Sequence, residues 1–228
     1  MGYRPRMTAP IAPYDAQTAL LVVDVQNDFA EPEGRLSVRD GLAVVPVLCS
    51  EIDAAIAAGS VVVYSQDWHP ERTPHFAAFG GAWPAHCVMG SWGAELHPDL
   101  PVVGHVVRKG SSGEDGYSAF TMRDPLTGAT IETELHALLR DRGVRRVIIG
   151  GLATDYCVAE TGLDACRLGY ETVVLADAVR AVEVAPGDGD RALERLVAAG
   201  VTVLRGPAAA VVSDNAAAAG ADPAGFRR

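Results

Sequence analysis

Six short apolar runs recur along the chain, and glycine or polar residues follow each of them. The runs lie at residues 18–23, 61–64, 102–107, 147–149, 172–175 and 201–204. Largely apolar runs of this length, of which 102–107 is broken by Gly104 and His105, are typical of strands that are buried on both faces of a parallel sheet. The pattern therefore predicts six strands, with places for polar chemistry where the strands end.

Apolar residues at helical spacing separate several of these runs. They predict four helices, at about residues 46–59, 131–143, 157–169 and 193–200. The first presents Leu48, Ile52 and Ile56 on one face, and the second is predicted to begin at Ile131. Strands that alternate with helices predict one three-layer α/β/α domain with a parallel sheet.

Two long stretches follow neither pattern. Residues 71–101 are rich in aromatic residues, glycine, proline and histidine, and residues 111–128 are also predicted to be loop. A loop as long as the first is usually functional or disordered, and its tryptophans and histidines favour function. Residues 1–15 are predicted to be a surface arm, so that the single domain spans residues 16–228 and ends in an Ala-rich tail.

The composition and net charge of the chain exclude several classes of protein. Of the 228 residues, 49% are hydrophobic and 21% are charged, as in a globular domain. The net charge of −10 argues against nucleic-acid binding. No apolar run is long enough to span a membrane, and the N-terminus lacks the apolar segment of a signal peptide.

The cysteine content favours a reducing compartment. The four cysteines include no CxxC pair, and a chain of this length does not depend on disulfides. We therefore expect a cytoplasmic protein. A homo-oligomer is compatible with the sequence, which does not decide the oligomeric state.

Three reactive side chains each follow a predicted strand, namely Asp24, Lys109 and Cys157. Open α/β sheets place their sites at this carboxyl edge. Cys157 lies where a helix begins, and the free N–H groups of a helix N-terminus favour a thiolate and can hold an oxyanion. Asp24 could accept the thiol proton, and Lys109 would favour the ionised forms of both groups. Taken singly, each also fits a structural role, as a turn residue, a solvated strand end or a buried thiol.

A second group combines a carboxylate with imidazoles, namely Asp67, His69, His75 and His86. Asp67 and His69 are two positions apart on a segment that leaves a strand, so their side chains can point the same way. This set suits Zn²⁺, Fe²⁺ or Mn²⁺. The alternative is a set of surface-loop histidines without a common role. We predict a site for one divalent metal ion, whose identity the ligands do not decide.

Several strings of the sequence, taken together and in order, resemble one known family. They are Asp24-Val25-Gln26-Asn27-Asp28-Phe29, Ser65-Gln66-Asp67-Trp68-His69, Trp83-Pro84-Ala85-His86-Cys87-Val88, Lys109-Gly110 and Gly151-Leu152-Ala153-Thr154-Asp155-Tyr156-Cys157-Val158. The family is the nicotinamidase/pyrazinamidase branch of the isochorismatase-like cysteine hydrolases. The resemblance covers the chain from about residue 19 to residue 204.

This resemblance implies a fold and a reaction. The sheet would have the strand order 3-2-1-4-5-6, which sets Asp24 beside Cys157 and requires Lys109 to reach in from strand 3. A cis peptide bond is implied between Leu152 and Ala153, and the N–H groups of Ala153 and Cys157 are implied as the oxyanion hole. The implied reaction is hydrolysis of nicotinamide, and of pyrazinamide, through a cysteine thioester.

The resemblance also implies how the small-molecule substrate is held. A metal on the four ligands named above would bind the ring nitrogen of nicotinamide. Phe29 and Trp83 would sandwich the ring, and Tyr117 would help to close the pocket. Leu152 and Tyr156 complete the implied pocket, the latter at a position where many relatives have histidine. Plain core packing explains such aromatic residues about as well.

Three other interpretations are open on the sequence. A sibling amidohydrolase would act on another small carboxamide or carbamoyl group, but such siblings generally lack the metal-binding loop. A dinucleotide-binding dehydrogenase would have G-x-G-x-x-G after its first strand, where this chain has Asp24-Val25-Gln26-Asn27. A non-catalytic relative would tolerate the loss of Asp24, Lys109 or Cys157, and all three are present.

Overall fold

The computed structural model describes residues 14–206. The predicted N-terminal arm, apart from Tyr14 and Asp15, and the Ala-rich tail from residue 207 lie outside the described residues. Tyr14 is buried, and its hydroxyl donates a hydrogen bond to Oε2 of Glu51 at 2.8 Å. The end of the predicted arm is therefore packed into the domain rather than lying on its surface.

Six parallel strands form the central sheet. In chain order, the strands of the described residues are β1 (Thr18–Val23), β2 (Val61–Asp67), β3 (His105–Lys109), β4 (Thr121–Arg123), β5 (Thr130–Glu132), β6 (Arg146–Leu152), β7 (Glu171–Arg180) and β8 (Thr202–Leu204). The sheet has the order β3-β2-β1-β6-β7-β8, and β4 pairs separately with β5. Counted within the sheet, this is the order 3-2-1-4-5-6, so the expected topology is confirmed.

Helices cover both faces of the sheet. The described residues form α1 (Asn27–Ala30), α2 (Val44–Ala57), α3 (Leu135–Asp141), α4 (Ala159–Arg167) and α5 (Asp188–Ala198). Successive side chains of a strand point to opposite faces. Leu20 of β1 accordingly packs in one core with Leu48 of α2. Leu21 packs in the other core, with Leu139 of α3 and Leu196 of α5. The predicted three-layer α/β/α architecture is confirmed, and none of these helices is long and apolar enough to cross a membrane.

Several predicted elements differ from the structure, mostly in where they begin or end. Ile131 lies in β5 and not in a helix, and α3 begins only at Leu135. Ile131 is opposite Met122 of β4, within a stretch predicted to be loop. Pairing of β5 with β4 across the turn between them thus overrides the apparent helical spacing. The third strand of the sheet begins at His105 and not at residue 102, where Val102 is 47% exposed.

The carboxyl ends of β1, β2, β3 and β6 meet at one edge of the sheet. Val23 of β1 lies opposite Ser65 on β2 and opposite Gly151 on β6. Asp67 lies opposite Lys109 across β2 and β3. Gly151 has a φ of +128°, and a Cβ there would lie 2.0 Å from the Val23 carbonyl oxygen, so only glycine permits this approach. This edge gathers the strand-end residues that the sequence singles out.

Candidate active site

The side chains of Asp24, Lys109 and Cys157 meet at this edge in a buried cluster. The Nζ atom of Lys109 lies 2.7 Å from Oδ2 of Asp24 and 3.7 Å from Sγ of Cys157. A carboxylate oxygen of Asp24 lies within 4.8 Å of that sulfur. All three residues are shielded from solvent. The structure thus brings together the three predicted catalytic residues, including Lys109 from β3.

The backbone and a neighbouring hydroxyl hold Asp24 in place. Asp24 has a φ of +48°, which is uncommon for a residue other than glycine. Its N–H donates to the carbonyl of Ser65 at 3.2 Å, and the Ser65 hydroxyl donates to Oδ1 of Asp24 at 2.6 Å. No role for Ser65 was predicted from the sequence, where a lone serine in a strand carries no signal.

Cys157 lies in a single π-helical turn, Thr154–Val158, which leads into α4. The sequence predicted an ordinary helix start, whereas π-helical turns are rare and often occur at functional sites. The Ala153 carbonyl accepts hydrogen bonds from two N–H groups of this turn at 3.0 and 3.1 Å. The peptide bond between Leu152 and Ala153 is cis, as the family resemblance implies.

Burial and charge set the protonation states of this cluster. Burial opposes the charge on Lys109, but the carboxylates of Asp24 and Asp67 outweigh it and raise the pKa of Lys109 well above its usual range. Burial raises the pKa of Asp24, although Lys109 opposes this. Burial also raises the pKa of Cys157 well above its usual range, again against Lys109. Burial thus favours the neutral thiol at Cys157 and Lys109 favours the thiolate, so a neighbouring base that can take the thiol proton is part of what the site needs.

His69, His75 and His86 form a second buried cluster beside the first. One ring nitrogen from each lies within 4.8 Å of the others. Oδ2 of Asp67 lies 3.7 Å from Nε2 of His69 and 4.0 Å from Nε2 of His86. The structure thus gathers all four residues predicted as metal ligands.

Hydrogen bonds at Nδ1 leave Nε2 open on two of these rings. Nδ1 of His86 donates to the carbonyl of Pro84 at 2.8 Å, and Nδ1 of His75 donates to Oδ1 of Asp115 at 2.6 Å. Both acceptors lack a hydrogen, so Nδ1 carries it, and in the neutral ring Nε2 is left with a lone pair. Burial lowers the pKa of His86 to about 4 despite Asp67. The hydrogen bond from His75 lowers the pKa of Asp115, a residue that the sequence did not single out.

The donor set fits a divalent metal ion. Both ring nitrogens of His69 are buried without a hydrogen-bond partner among residues 14–206, and an unpaired buried polar group is costly. Converging imidazoles and a carboxylate are the ligands that zinc and similar ions take. Gly110 makes room for this ring, since a Cβ there would lie 2.5 Å from Nδ1 of His69. The residues present therefore suit an ion that accepts imidazole lone pairs.

Asp67 joins the two clusters. Its Oδ1 lies 2.9 Å from Nζ of Lys109, while its Oδ2 faces the histidines. Burial would raise the pKa of Asp67, but Lys109 and His69 outweigh it and hold that pKa below its usual range. The sequence predicted two separate groups, because the spacing of residues that are far apart in the chain does not show an ion pair across neighbouring strands.

A cavity opens onto Cys157 and onto the histidine cluster. It holds about 350 Å³, including its opening, which is at the small end for ligand pockets. The predicted pocket residues in its wall are Phe29, Trp83, Tyr117 and Tyr156, and Ala153, which the resemblance implies for the oxyanion hole, also lines it. Leu152 is instead buried in the core that contains α2. Leu36 and Val182 also line the cavity. Both lie outside the quoted strings, so no local signal identified them.

The aromatic wall of the cavity is held by its own contacts. Nε1 of Trp83 donates to the hydroxyl of Tyr117 at 3.0 Å. The Trp83 and Tyr156 rings meet edge to face, with centroids 5.0 Å apart. The Phe29 ring lies 5.4 Å from the ring of His86. Aromatic walls of this kind favour a flat ring as the occupant.

The remaining histidines, for which the sequence predicted no role, lie outside this site. His97 is paired with Glu31, His105 with Glu134, and His136 with Tyr170. The four cysteines, Cys49, Cys87, Cys157 and Cys166, are free.

Comparison with known proteins finds relatives over most of the chain. The profile of the isochorismatase domain matches residues 18–208. A nicotinamidase from Escherichia coli (strain K12) is 40% identical over 203 residues, which are 81% of this chain and 93% of that protein.

Two solved structures share the fold at substantial sequence identity. A pyrazinamidase from Pyrococcus horikoshii in complex with zinc is 38% identical, with a TM-score of 0.74 over 83% of this chain and 99% of that one. PnC1 from L. infantum in complex with nicotinate is 35% identical, with a TM-score of 0.76 over 85% of this chain and 96% of that one.

Proposed function

The chain belongs to the isochorismatase domain family, and from that premise we propose that it is a nicotinamidase, which hydrolyses nicotinamide to nicotinate and ammonia. The observation that carries the proposal is that Lys109 contacts Asp24 and Cys157 and also Asp67. The other carboxylate oxygen of Asp67 faces a histidine group that fits a metal ion. A relative named nicotinamidase and a relative solved with nicotinate support the substrate class. Pyrazinamide carries the same carboxamide on a flat nitrogen ring and is expected to be a second substrate.

The first half-reaction forms a thioester on Cys157. Asp24 takes the thiol proton, and Lys109 beside both groups stabilises the charges that this transfer creates. Sγ then bonds to the carboxamide carbon, and the electron pair of the C=O bond moves to the oxygen. We assign this oxyanion to the N–H groups of Ala153 and Cys157, since one such donor is often worth about 3 kcal/mol.

The second half-reaction releases the products. The C–N bond breaks, Asp24 returns its proton to the leaving nitrogen, and ammonia departs. Asp24 then takes a proton from a water molecule as that water attacks the thioester carbon. The C–S bond breaks, the proton from Asp24 restores the thiol of Cys157, and nicotinic acid leaves and gives its carboxyl proton to water or ammonia to become nicotinate.

The substrate ring is positioned by the histidine cluster and the aromatic wall. The residues that would hold a Zn²⁺, Fe²⁺ or Mn²⁺ ion are Asp67, His69, His75 and His86. When bound, such an ion supplies a Lewis acid for the ring nitrogen of the substrate. Phe29 and Trp83 hold the faces of the ring, and Tyr117 and Tyr156 close the wall around it.

Ammonia release from nicotinamide tests the proposed reaction. Wild type is expected to release ammonia and nicotinate in equal amounts. Cys157→Ala is expected to lose activity by about 10⁴-fold or more, since it removes the nucleophile. Cys166→Ala is the matched control, because Cys166 lies on α4 with its Sγ at the carbonyl of Ala199, outside the cavity wall. This control is expected to keep wild-type activity.

Chelation and metal addition test the role of the histidine cluster. Chelated wild type is expected to be inactive, and one of Zn²⁺, Fe²⁺ or Mn²⁺ is expected to restore it. If metal-loaded wild type ignores nicotinamide but hydrolyses another small carboxamide or a carbamoyl compound, the nicotinamidase proposal is wrong and the sibling amidohydrolase is correct. Full activity without metal would contradict the metal proposal alone.

A further inference from the structure

One carboxylate outside the four proposed ligands faces the histidine cluster. Oδ1 of Asp115 lies 2.6 Å from Nδ1 of His75. The His75 side chain is buried, whereas the Asp115 side chain is 48% exposed. Asp115 lies in the loop between β3 and β4, two residues before Tyr117 of the cavity wall. The reaction proposed above does not use this carboxylate.

The backbone holds Asp115 in place independently of His75. The N–H of Asp115 donates to the carbonyl of Arg123 at 2.8 Å, and the N–H of Arg123 donates back to the carbonyl of Asp115. The N–H of Gly116 donates to Oδ1 of Asp115 at 2.9 Å. The oxygen that faces His75 is therefore positioned by the loop itself.

A carboxylate at Nδ1 changes what Nε2 of the same ring can do. It holds the hydrogen on Nδ1, so Nε2 presents its lone pair, and its negative charge makes the ring a stronger donor to a cation. The other two histidines lack such a partner. His86 has the neutral carbonyl of Pro84 at Nδ1, and neither nitrogen of His69 has a hydrogen-bond partner within residues 14–206. His75 is thus the ring whose donor strength depends on a charged side chain.

We infer that Asp115 is a positioning residue of the metal site, which fixes the tautomer and orientation of His75 and strengthens metal binding through it. The inference rests on the metal proposed above. It extends the site to the loop that follows β3, the same loop that carries Tyr117. That loop and the loop of residues 71–101 would then be tied together by the His75–Asp115 hydrogen bond.

Metal affinity tests this inference without reference to activity. The dissociation constant for Zn²⁺ is measured by competition with a chromogenic chelator for wild type, Asp115→Ala and Asp115→Asn. Asp115→Ala is expected to bind Zn²⁺ about 10–100-fold more weakly, because acceptor and charge are both lost. Asp115→Asn is expected to lie between them, because its amide oxygen accepts the hydrogen bond without the charge.

A neighbouring carboxylate provides the matched control. Glu114 lies in the same loop, and its Oε2 accepts a hydrogen bond from the N–H of Ser112 at 2.8 Å. Glu114→Ala is expected to bind Zn²⁺ within about twofold of wild type. Thermal unfolding of the metal-free proteins separates a folding defect from a binding defect. The metal-free midpoint of Asp115→Ala is expected to stay close to that of wild type, whereas its Co²⁺-loaded absorption spectrum is expected to change.

Three results would overturn the inference. Equal Zn²⁺ affinity in wild type and Asp115→Ala would overturn it and leave the metal proposal intact. Equal weakening in Asp115→Ala and Glu114→Ala would assign the effect to the loop rather than to the carboxylate on His75. If wild type binds no divalent ion, the metal proposal fails and this inference fails with it.

Discussion

Lys109 is almost completely buried and yet carries a charge, because carboxylate oxygens of Asp24 and Asp67 lie within hydrogen-bond distance of its Nζ atom. A buried charge that loses its partner is strongly destabilising, since the low-polarity interior cannot replace the lost interaction. Without Lys109, two buried carboxylates would face each other. At the scale of the residue, Lys109 therefore stabilises the folded site as well as its chemistry.

Lys109→Met is expected to lower the free energy of unfolding by about 3–5 kcal/mol, because Asp24 and Asp67 lose their shared cation. Urea unfolding of the metal-free protein near pH 7 measures this. Arg195→Ala is the control, since the side chains of Arg195 and Glu160 are 50% and 36% exposed in their ion pair. Such a pair is worth at most about 1 kcal/mol. A loss for Lys109→Met as small as that of the control would contradict the expectation.

The sequence indicates which residues belong to the site better than it indicates which of them are in contact. Strand ends are visible in the hydrophobic pattern, so the polar residues that follow them could be chosen. The Asp67–Lys109 ion pair depends on side-chain reach between neighbouring strands, and the contact of Asp115 joins two loops, so local spacing encodes neither. The family resemblance implies Leu152 as a pocket residue, but its side chain is fully buried among apolar residues at the end of β6 and does not line the cavity.

At the scale of elements, α4 anchors the loop that follows β3. Thr161 on α4 is fully buried, and its Oγ1 accepts a hydrogen bond from the N–H of Ala119 at 2.9 Å. The same loop supplies the carbonyl of Tyr117, to which Nζ of Lys109 donates at 3.0 Å. One helix therefore continues the turn that carries Cys157 and also fixes the loop that carries part of the cavity wall.

Thr161→Val is expected to lower the free energy of unfolding by about 1–3 kcal/mol, because valine has a similar shape but leaves the buried N–H of Ala119 without a partner. Urea unfolding again provides the measurement. Thr127→Val is the control, since Oγ1 of Thr127 accepts from the N–H of Ala129 on an exposed loop, where water can substitute. Its effect is expected to stay within about 0.5 kcal/mol. Equally small losses in both variants would show that the Thr161 bond does not anchor the loop.

The hydrophobic pattern predicted the long, buried elements and missed the short, exposed ones. The six sheet strands and α2 follow from continuous or periodic apolar residues, with shifts at their ends. The pair of β4 and β5 has three residues in each strand, half-buried at best, which is too few to show a period of two. Its formation depends on pairing across a turn, and the apolar spacing alone assigns Ile131 to the helix that follows.

At the scale of the whole molecule, the histidine cluster exists only in the folded chain. His69 follows β2, whereas His75 and His86 come from the loop of residues 71–101, and Asp67 ends β2. An ion that binds this assembled cluster and not the unfolded chain stabilises the native state by mass action. Metal binding should therefore be visible in global stability.

Zn²⁺ at about a hundredfold above its dissociation constant is expected to add about 2.7 kcal/mol of stability. For a chain of this size, that raises the thermal midpoint by roughly 5–10 °C, measurable by calorimetry. Mg²⁺ at the same concentration is the control, because it prefers oxygen ligands and water. His69→Ala is expected to lose most of the Zn²⁺ shift. Equal shifts with both ions would argue for non-specific binding to the acidic surface.

Two kinds of information predict the architecture of the whole molecule, namely the hydrophobic pattern and the family resemblance. Alternating strands and helices predict three layers without further knowledge, whereas the strand order came from the family resemblance, since connection lengths alone permit several orders. The anchoring of Tyr14 in the core was missed because a single aromatic residue in a Pro-containing stretch has no periodic neighbours.

Lys109 pairs with both Asp24 and Asp67. For protein engineering, the cysteine cluster and the histidine cluster therefore have to be transferred together. A designer who transplants the cysteine, aspartate and lysine to a scaffold without the histidine loop must supply another buried anion in place of Asp67. Without such an anion, the ammonium group of Lys109 would pair with Asp24 alone. That ion pair would make Asp24 a weaker base for the thiol proton of Cys157. A fragment that carried only Asp67 and the three histidines would lack Lys109, the cation that keeps the Asp67 carboxylate ionised. The smallest portable unit is therefore the whole carboxyl edge of four strands.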